Sequence, residues 1–226
     1  FTSKICCFYH FDKIKSLTPK EFVHKLEVDF PKLETIVVGY DFHFGKNKAG
    51  NAQMLGSISD KKILIIDEVS HEKIPIHSRT IKSYLRESNV AMANKLLGRK
   101  YCIVGEVIQG QGLGKKELVP TINLLVKEYQ LPLEGVYVTR TLIDGVWYES
   151  VSFLGHRVTT DDSYAVETHV LDKEMGEVAG EIVLEFVDFI RINKKFDSLE
   201  TLKKQIQDDI SVAKRLLSSS KEFMIK

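Results

Sequence analysis

Hydrophobic residues follow one pattern in the first ninety residues of this chain and another pattern after residue 98. In the first part, continuous apolar runs at 35–39 and 62–66 are separated by segments whose apolar residues recur every three or four positions. Such runs predict buried parallel strands, and the segments between them predict amphipathic helices. We therefore expect an α/β region with a parallel sheet that is covered on both faces.

Local signals place further elements in this region. Residues 4–10 form a short apolar run that predicts a strand. Thr18, Pro19 and Glu21 have the spacing of a capping box, with Thr18 at the N-cap, and predict the start of a helix. The pattern is helical again over 78–97.

After Gly98 the pattern becomes that of short strands separated by turns such as Asp144-Gly145. The strand-like runs are residues 101–107, 122–126, 136–142, 147–153, 164–171 and 181–190. Their spacing predicts an antiparallel barrel or a sandwich. A helix closes the chain, with Asp197 expected at its N-cap and Glu200 at N3. We place a domain boundary near 88–98, which gives domains 1–88 and 89–226.

Composition excludes several classes of protein. The 32 basic and 31 acidic side chains give a net charge of +1, without the basic excess that favours nucleic-acid binding. No apolar run reaches the roughly 18–20 residues of a membrane span. Three cysteines cannot form a disulfide framework, which favours a reducing compartment. We expect a cytoplasmic protein, a monomer or weak homo-oligomer, with small molecules as partners and neither nucleic acid nor membrane.

A glycine-rich segment follows the first strand of the second half. Gly110, Gly112 and Gly114 allow backbone N–H groups to approach a phosphate closely, and Lys115 adds positive charge. The segment matches neither the Walker A nor the dinucleotide-binding pattern. A flexible hairpin loop with solvated lysines explains it equally well.

Thr121 and Asn123 stand two residues apart at the start of a predicted strand, so their side chains point the same way. Both offer neutral oxygen atoms, which suit a Mg²⁺ ion that already carries nucleotide phosphates. On spacing alone, a strand start with two polar capping groups is the favoured interpretation.

Glu167 lies within a predicted strand and shares one face of it with Ala165 and His169. A carboxylate inside a barrel-like domain needs a partner or a function, and Glu167 could act as a general base toward a hydroxyl group. If that face is solvated instead, Glu167 is a surface residue. We interpret His169 as structural.

Two segments of the first part are further candidate ligand sites. One is a glycine-bounded aromatic loop at the end of a strand, where ligands bind in parallel α/β folds. The other opens a helix with hydroxyl and cationic side chains and could bind phosphate. Loop anchors and a capped surface helix are the alternatives. The residues concerned are Asp41, Phe42, Phe44, Ser78, Arg79 and Lys82.

Taken in order, seven segments resemble the bacterial bifunctional riboflavin kinase/FMN adenylyltransferase family, also called prokaryotic FAD synthetase. The segments are residues 37–51, 77–85, 96–101, 107–124, 131–137, 166–172 and 189–209. The resemblance extends over essentially the whole chain. It implies an α/β nucleotidyltransferase-like domain, partial here, followed by a six-stranded antiparallel barrel with a C-terminal helix.

The barrel domain of this family transfers the γ-phosphate of ATP to the 5′-hydroxyl of riboflavin, which forms FMN. The resemblance implies a nucleotide site that includes Mg²⁺, a base and a flavin contact. The matching residues are Gly110, Gly112, Gly114 and Lys115 for the phosphates, Thr121 and Asn123 for Mg²⁺ and phosphate, Glu167 as the base, and Arg191 near the flavin.

The first domain of this family joins AMP to FMN and forms FAD. Asp41, Phe42, Phe44, Ser78, Arg79 and Lys82 are the expected remnants of its motifs. The second of these motifs is altered, with His77, Arg79 and Lys82 where the family prefers Ser, Ser or Thr, and Arg. None of the seven histidines falls in the family's H-x-G-H phosphate-binding motif. We therefore expect about 50 residues of this domain to be missing before Phe1. We also expect that the chain as given does not make FAD. The alternative function is a non-catalytic flavin- or nucleotide-binding regulatory module, and an RNA-binding barrel is disfavoured by the neutral charge.

Overall fold

The computed structural model describes residues 6–110, 119–159 and 161–222, with side chains as far as Ser219. The chain divides into two compact units, Phe1–Val69 and Ser70–Lys226. The helix that begins at Ser78, which the sequence-based division assigned to the first domain, belongs to the second compact unit.

The first unit combines short helices with a two-stranded parallel sheet. Its elements are α1 (Phe11–Ile14), α2 (Pro19–Asp29), β1 (Thr35–Gly39), β2 (His43–Phe44), a 3₁₀ turn (Lys46–Lys48), β3 (Gly50–Asn51), α3 (Ala52–Ile58) and β4 (Lys62–Ile66). The parallel pairing of β1 with β4 confirms the expected sheet direction. The capping box is also confirmed, since the Thr18 hydroxyl accepts from the Glu21 N–H at 3.3 Å and the Glu21 carboxylate accepts from the Thr18 N–H at 2.7 Å. The predicted strand at 4–10 is wrong over its described part, because residues 6–10 are irregular.

The core of this unit lies on one face of the sheet. Val23 of α2 and Leu55 of α3 are buried there in one hydrophobic cluster, with Ile36, Val38 and Ile63 of the strands packed against it. On the opposite face, three apolar side chains of the strands are exposed. They are Val37, Leu64 and Ile66. The expectation of a sheet covered on both faces is therefore wrong for the described residues, because both helices pack on the same side.

The second unit is built around a closed barrel. Its elements are β5 (Ser70–His71), β6 (Ile74–Pro75), α4 (Ser78–Arg86), α5 (Val90–Leu97), β7 (Tyr101–Ile108), β8 (Ile122–Leu125), β9 (Gly135–Ile143), β10 (Val146–His156), β11 (Tyr164–Val170), β12 (Glu181–Ile192) and α6 (Leu199–Glu222). The barrel strands run antiparallel in the spatial order β10-β11-β8-β7-β12-β9. This closure decides between the barrel and the sandwich. Asp144 and Gly145, with φ of 48° and 78°, form the two-residue hairpin between β9 and β10.

Helix α6 begins one residue later than predicted. Its N-cap is Ser198, whose hydroxyl accepts from the Thr201 N–H at 3.2 Å. Asp197 therefore lies before the cap, and Glu200 occupies N2 instead of N3. Serine and aspartate cap helices about equally well, so propensity does not separate these two adjacent residues.

The barrel interior is filled by alternate side chains of each strand. Tyr137 and Phe186 pack edge to face there, with ring centroids 5.3 Å apart. Beside them, five fully buried hydroxyl groups contact one another at 2.8–3.1 Å across three strands. They belong to Thr139, Thr141, Ser150, Ser152 and Thr168. The hydroxyls satisfy one another, so the interior is a packed core and leaves the outer wall of the barrel for ligands.

Helix α6 covers part of this outer wall. Val136 and Val138 of β9 and Val151 of β10 point outward and pack against Ala213 and Leu217 of the helix. The strand period of two therefore gives the barrel two apolar surfaces, one inside and one beneath α6.

Asn94 joins α5 to the barrel. This buried amide donates to the Phe186 carbonyl at 2.9 Å and accepts from the Tyr101 N–H at 2.6 Å. These two backbone groups belong to residues paired across β12 and β7, so one side chain stabilises the end of that strand pair.

Asn94→Ala is expected to lower the free energy of unfolding by about 2 kcal/mol, because it leaves a buried donor and a buried acceptor without partners. Urea unfolding followed by fluorescence of Trp147, the single tryptophan of the chain, measures the change. The matched control is Lys95→Ala at an exposed position of the same helix. Equal stability of the two variants would contradict this account of Asn94.

Candidate active site

A cleft lies between the outer wall of the barrel and helix α6. It encloses about 1060 Å³ of space, with the open solvent at its mouth included. Val136, Val151 and Phe153 of the barrel and Leu202 and Ile206 of the helix give it apolar walls. Four predicted site residues also line it. These are Thr121, Asn123, Glu167 and Arg191.

Strand pairing brings three of these residues together. Asn123 of β8 is the direct cross-strand partner of Glu167 of β11, although 44 residues separate them in sequence (167 − 123). Thr121 precedes Asn123 by two positions and faces the same cleft, as the strand period predicted. A hydroxyl, a carboxamide and a carboxylate thus converge on one side of the barrel wall.

Glu167 lies on the outer wall of the barrel. Its neighbours Val166 and Val170 point into the barrel core, which leaves Glu167 and His169 on the side of the cleft. The side chain of Glu167 is 23% exposed and has a charged partner, so it is neither an uncompensated buried carboxylate nor a freely solvated one. His169 contacts the Pro120 carbonyl through Nδ1 at 2.8 Å, which agrees with a structural role at the entry to β8.

The partner of Glu167 is Arg157, which the sequence analysis missed. Its Nε donates to Glu167 Oε1 at 2.7 Å, and its Nη2 donates to Asn123 Oδ1 at 2.7 Å. A third contact, from Nη1 to Ser163 Oγ at 2.9 Å, joins the two ends of the β10–β11 loop. The only signal in the sequence that could have indicated this partner is the position of Arg157 in the loop before the strand that carries Glu167.

A second cavity, the Gly110 cavity, adjoins the cleft. It encloses about 580 Å³, with open solvent included, and Gly110 and Tyr164 line it together with Asn123 and Arg157. A Cβ atom at Gly110 would lie 2.2 Å from Asn123 Nδ2, so glycine is required here for the observed position of the amide. The other predicted phosphate contacts, Gly112, Gly114 and Lys115, lie outside the described residues.

The rim of the cleft at the end of β10 is held by Glu134. Its carboxylate accepts from the backbone N–H of His156 at 3.1 Å and contacts the ring Nδ1 of that residue at 2.9 Å. Burial raises the pKa of Glu134, but the hydrogen bonds from His156 and Asn193 outweigh burial and leave this pKa below its ordinary value. Gly155 has φ of 139°, and a Cβ there would lie 2.7 Å from Glu134 Oε2. This tight contact fixes where the loop that carries Arg157 begins.

Arg191 faces the cleft while its guanidinium binds a buried carboxylate of α6. Its Nε and Nη2 donate to Asp209 at 2.9 Å and 2.8 Å, and its guanidinium carbon lies 5.6 Å from the centre of the Phe196 ring. Asp209 is 3% exposed and also accepts from Gln205 at 3.0 Å. Arg191 therefore ties β12 to the helix that forms the second wall of the cleft.

The predicted residues of the first domain are distributed over the two compact units. Phe42 and Phe44 stack with ring centroids 5.5 Å apart, and Phe44 is buried in the core of the first unit, which favours loop anchors. Asp41 is exposed beside them. Ser78, Arg79 and Lys82 are exposed on α4 in the second compact unit.

The described residues include no group of three or more histidine, cysteine, aspartate or glutamate side chains that could hold a metal ion. A metal in this cleft would rely on the neutral oxygens of Thr121 and Asn123 together with oxygens of its ligand. In the part of the chain that the structure describes, no helix combines the length and the apolar character that a membrane crossing requires.

The outer cleft of the closed barrel thus brings hydroxyl, amide, carboxylate and guanidinium groups together. The family model of riboflavin kinase matches residues 97–217, which is more than half of the chain. The chain therefore belongs to the riboflavin kinase family. The family model of FAD synthetase matches residues 3–83.

Relatives of known name match both regions together. The bifunctional riboflavin kinase/FMN adenylyltransferase of Pseudomonas fluorescens is 29% identical over 222 residues, which are 96% of this chain and 71% of that protein. The Bacillus subtilis protein of the same name is 28% identical, and the match covers 90% of this chain and 66% of that protein. A crystal structure titled macrolide-efflux protein from Streptococcus pneumoniae is 30% identical in sequence with a TM-score of 0.78. This match covers 88% of the present chain and 66% of that one. The chain thus spans about two thirds of the length of these proteins.

Asp209→Ala is expected to lower the free energy of unfolding by about 3 kcal/mol, because it leaves the Arg191 guanidinium without its buried partner. Urea unfolding of the variant and the parent chain measures the loss. Asp208→Ala, at an exposed position of the same helix, is the matched control. If both variants unfold at the same urea concentration, the ion pair does not hold α6 on the barrel.

Proposed function

We propose that this chain transfers the γ-phosphate of ATP to the 5′-hydroxyl of riboflavin and so forms FMN. The observation that carries this proposal is the convergence of Thr121, Asn123 and Glu167 in one cleft of a chain that belongs to the riboflavin kinase family. The three groups supply what phosphoryl transfer needs, namely oxygen ligands for a metal and an acceptor for the hydroxyl proton.

The flavin is assigned to the cleft between the barrel and α6. Its isoalloxazine ring is flat and largely apolar, and Phe153, Phe196 and Val136 line the cleft on the barrel side and at its edge. Arg191 is proposed to act near the flavin chiefly by fixing α6, because its guanidinium is already engaged with Asp209.

The nucleotide phosphates are assigned to the Gly110 cavity. Its lining shares Asn123 and Arg157 with the cleft, so a phosphoryl group could pass between the two cavities at that junction. Gly112, Gly114 and Lys115 are proposed to extend this phosphate site, on the basis of their sequence pattern.

Mg²⁺ is proposed to bind the oxygen atoms of Thr121 and Asn123. Thr121 and Asn123 offer hard, neutral oxygens, and Mg²⁺ commonly takes one or two protein oxygens together with phosphate oxygens and water. When bound, this ion supplies charge neutralisation across the phosphates. The protein groups hold the nucleotide at the junction and keep the acceptor hydroxyl in line with it.

Glu167 is proposed as the general base that accepts the proton of the riboflavin hydroxyl. Its cross-strand partner is Asn123, which places the carboxylate beside the proposed phosphate site. The alternative, a non-catalytic flavin-binding module, needs neither the metal-type oxygens nor the carboxylate and is not favoured.

A second activity is proposed for the complete protein, which would adenylylate FMN to FAD. The FAD synthetase match over residues 3–83 and the names of the relatives support it. Asp41, Phe42, Phe44, Ser78, Arg79 and Lys82 are its proposed remnants in this chain. The sequence lacks the H-x-G-H motif, so this chain by itself is proposed to make FMN only.

Glu167→Gln is expected to lower kcat for FMN formation by about 10²–10⁴-fold, because the amide cannot accept the hydroxyl proton. Riboflavin affinity, measured by quenching of flavin fluorescence, should remain the same. Glu181→Gln removes an exposed carboxylate from β12 and serves as the control. Normal turnover of riboflavin by Glu167→Gln would remove Glu167 from the proposed role.

A further inference from the structure

Arg157 lies at the junction of the cleft and the Gly110 cavity. Of the described residues that line these two spaces, Asn123 and Arg157 line both, and Arg157 is the charged member of this pair. Its guanidinium is therefore placed to contact a group bound at this junction.

The guanidinium is engaged with the two groups to which the proposed reaction assigns roles. Glu167 Oε1 and Asn123 Oδ1 each accept from it at 2.7 Å. The side chains of Arg157 and Glu167 are only 18% and 23% exposed, so solvent screens their attraction weakly. In this arrangement the Glu167 carboxylate and the Asn123 amide oxygen are both hydrogen-bonded to the arginine.

The N–H donors of the Arg157 guanidinium have a geometry that also suits the oxygens of a phosphoryl group. A guanidinium presents parallel N–H groups that bind two oxygens of a phosphate as readily as those of a carboxylate. In phosphoryl transfer the charge spreads over three equatorial oxygens, and an arginine placed beside them stabilises the transition state.

The backbone of Arg157 is held within its loop. The Arg157 N–H donates to the Ser163 carbonyl at 2.9 Å, and the Arg157 carbonyl accepts from the Asp162 N–H at 3.2 Å. Ser163 Oγ also accepts from Arg157 Nη1 and donates to Asp161. The proposed exchange of acceptors therefore requires a movement of the whole guanidinium, because this group is planar and rigid, and no movement of the backbone that carries it.

We propose that Arg157 is a catalytic residue that leaves the Glu167 carboxylate and binds the γ-phosphoryl group as it is transferred. The proposal rests on the proposed function. This movement of the Arg157 guanidinium would have two effects. It would stabilise the charge of the phosphoryl group, and it would release Glu167 to act as the base.

The step balances as follows. The riboflavin 5′-oxygen forms a bond to the γ-phosphorus, the bond from that phosphorus to the bridging oxygen of ATP breaks, and ADP leaves with the electron pair. The hydroxyl proton passes to Glu167. Arg157 keeps its proton throughout and exchanges only its hydrogen-bond acceptors.

Arg157→Ala tests the proposal, with Arg140→Ala as the control. Arg140 is a barrel arginine outside both cavities, where it contacts Glu185 and lies 4.9 Å from the centre of the Trp147 ring. The kcat for FMN formation by Arg157→Ala is expected to fall about 10²–10³-fold, with riboflavin affinity unchanged. Added guanidine at millimolar concentration should restore part of the lost rate to Arg157→Ala and none to other variants.

Nucleotide binding gives a readout that does not depend on turnover. The parent chain should bind ATP more tightly than ADP in the presence of Mg²⁺, and Arg157→Ala should lose most of this preference because the contact is to the γ-phosphate. Calorimetric titration measures both dissociation constants.

Three results would overturn the proposal. A kcat within about threefold of the parent value would show that Arg157 does not stabilise the transferred group. A kcat of Arg157→Ala above the parent value would show that Arg157 lowers the activity of Glu167 instead of assisting the transfer. A lower kcat with an unchanged preference for ATP and no rescue by guanidine would show that Arg157 has only a structural role. If the parent chain forms no FMN, the proposed function fails and the catalytic role of Arg157 fails with it, whereas the ATP-to-ADP comparison still tests whether Arg157 contacts the γ-phosphate.

Discussion

The antiparallel pairing of β8 with β11 is the constraint on which the candidate site depends. It sets Asn123 opposite Glu167, and the period of two along each strand then determines that Thr121 faces the same cleft. A shift of one residue in either strand would send these side chains into the barrel and bring apolar residues out. The interior resists such a shift, because Val166 and Val170 are packed in its core and the Thr168 hydroxyl contacts that of Thr141.

A barrel wall alone would leave these groups on an open surface. Helix α6 supplies the opposite wall, held by apolar packing on β9 and β10 and by the ion pair between Arg191 and Asp209. One set of contacts thus serves both stability and the shape of the cleft. Arg191 lines the cleft and also holds this helix through Asp209.

Much of this arrangement could be predicted from periodicity and turn chemistry. The six barrel strands, the Thr18 capping box and the shared face of Thr121 and Asn123 depend on local sequence, which the pattern of residues records directly. Arg157 could not be found in this way, since its partners come from two other strands and only the closed barrel brings them together. The uncovered sheet face with Val37 and Leu64 also depends on where two helices pack, which apolar strands alone do not reveal.

The most direct test of the account is the identity of the flavin product. The chain would be incubated with riboflavin, ATP and Mg²⁺, and the flavins then separated by chromatography and identified by mass. The account predicts that riboflavin is converted to FMN, because the cleft holds the acceptor hydroxyl and its base beside the nucleotide site. Riboflavin that is bound by the protein but recovered unchanged would contradict it and would make the cleft a binding site only.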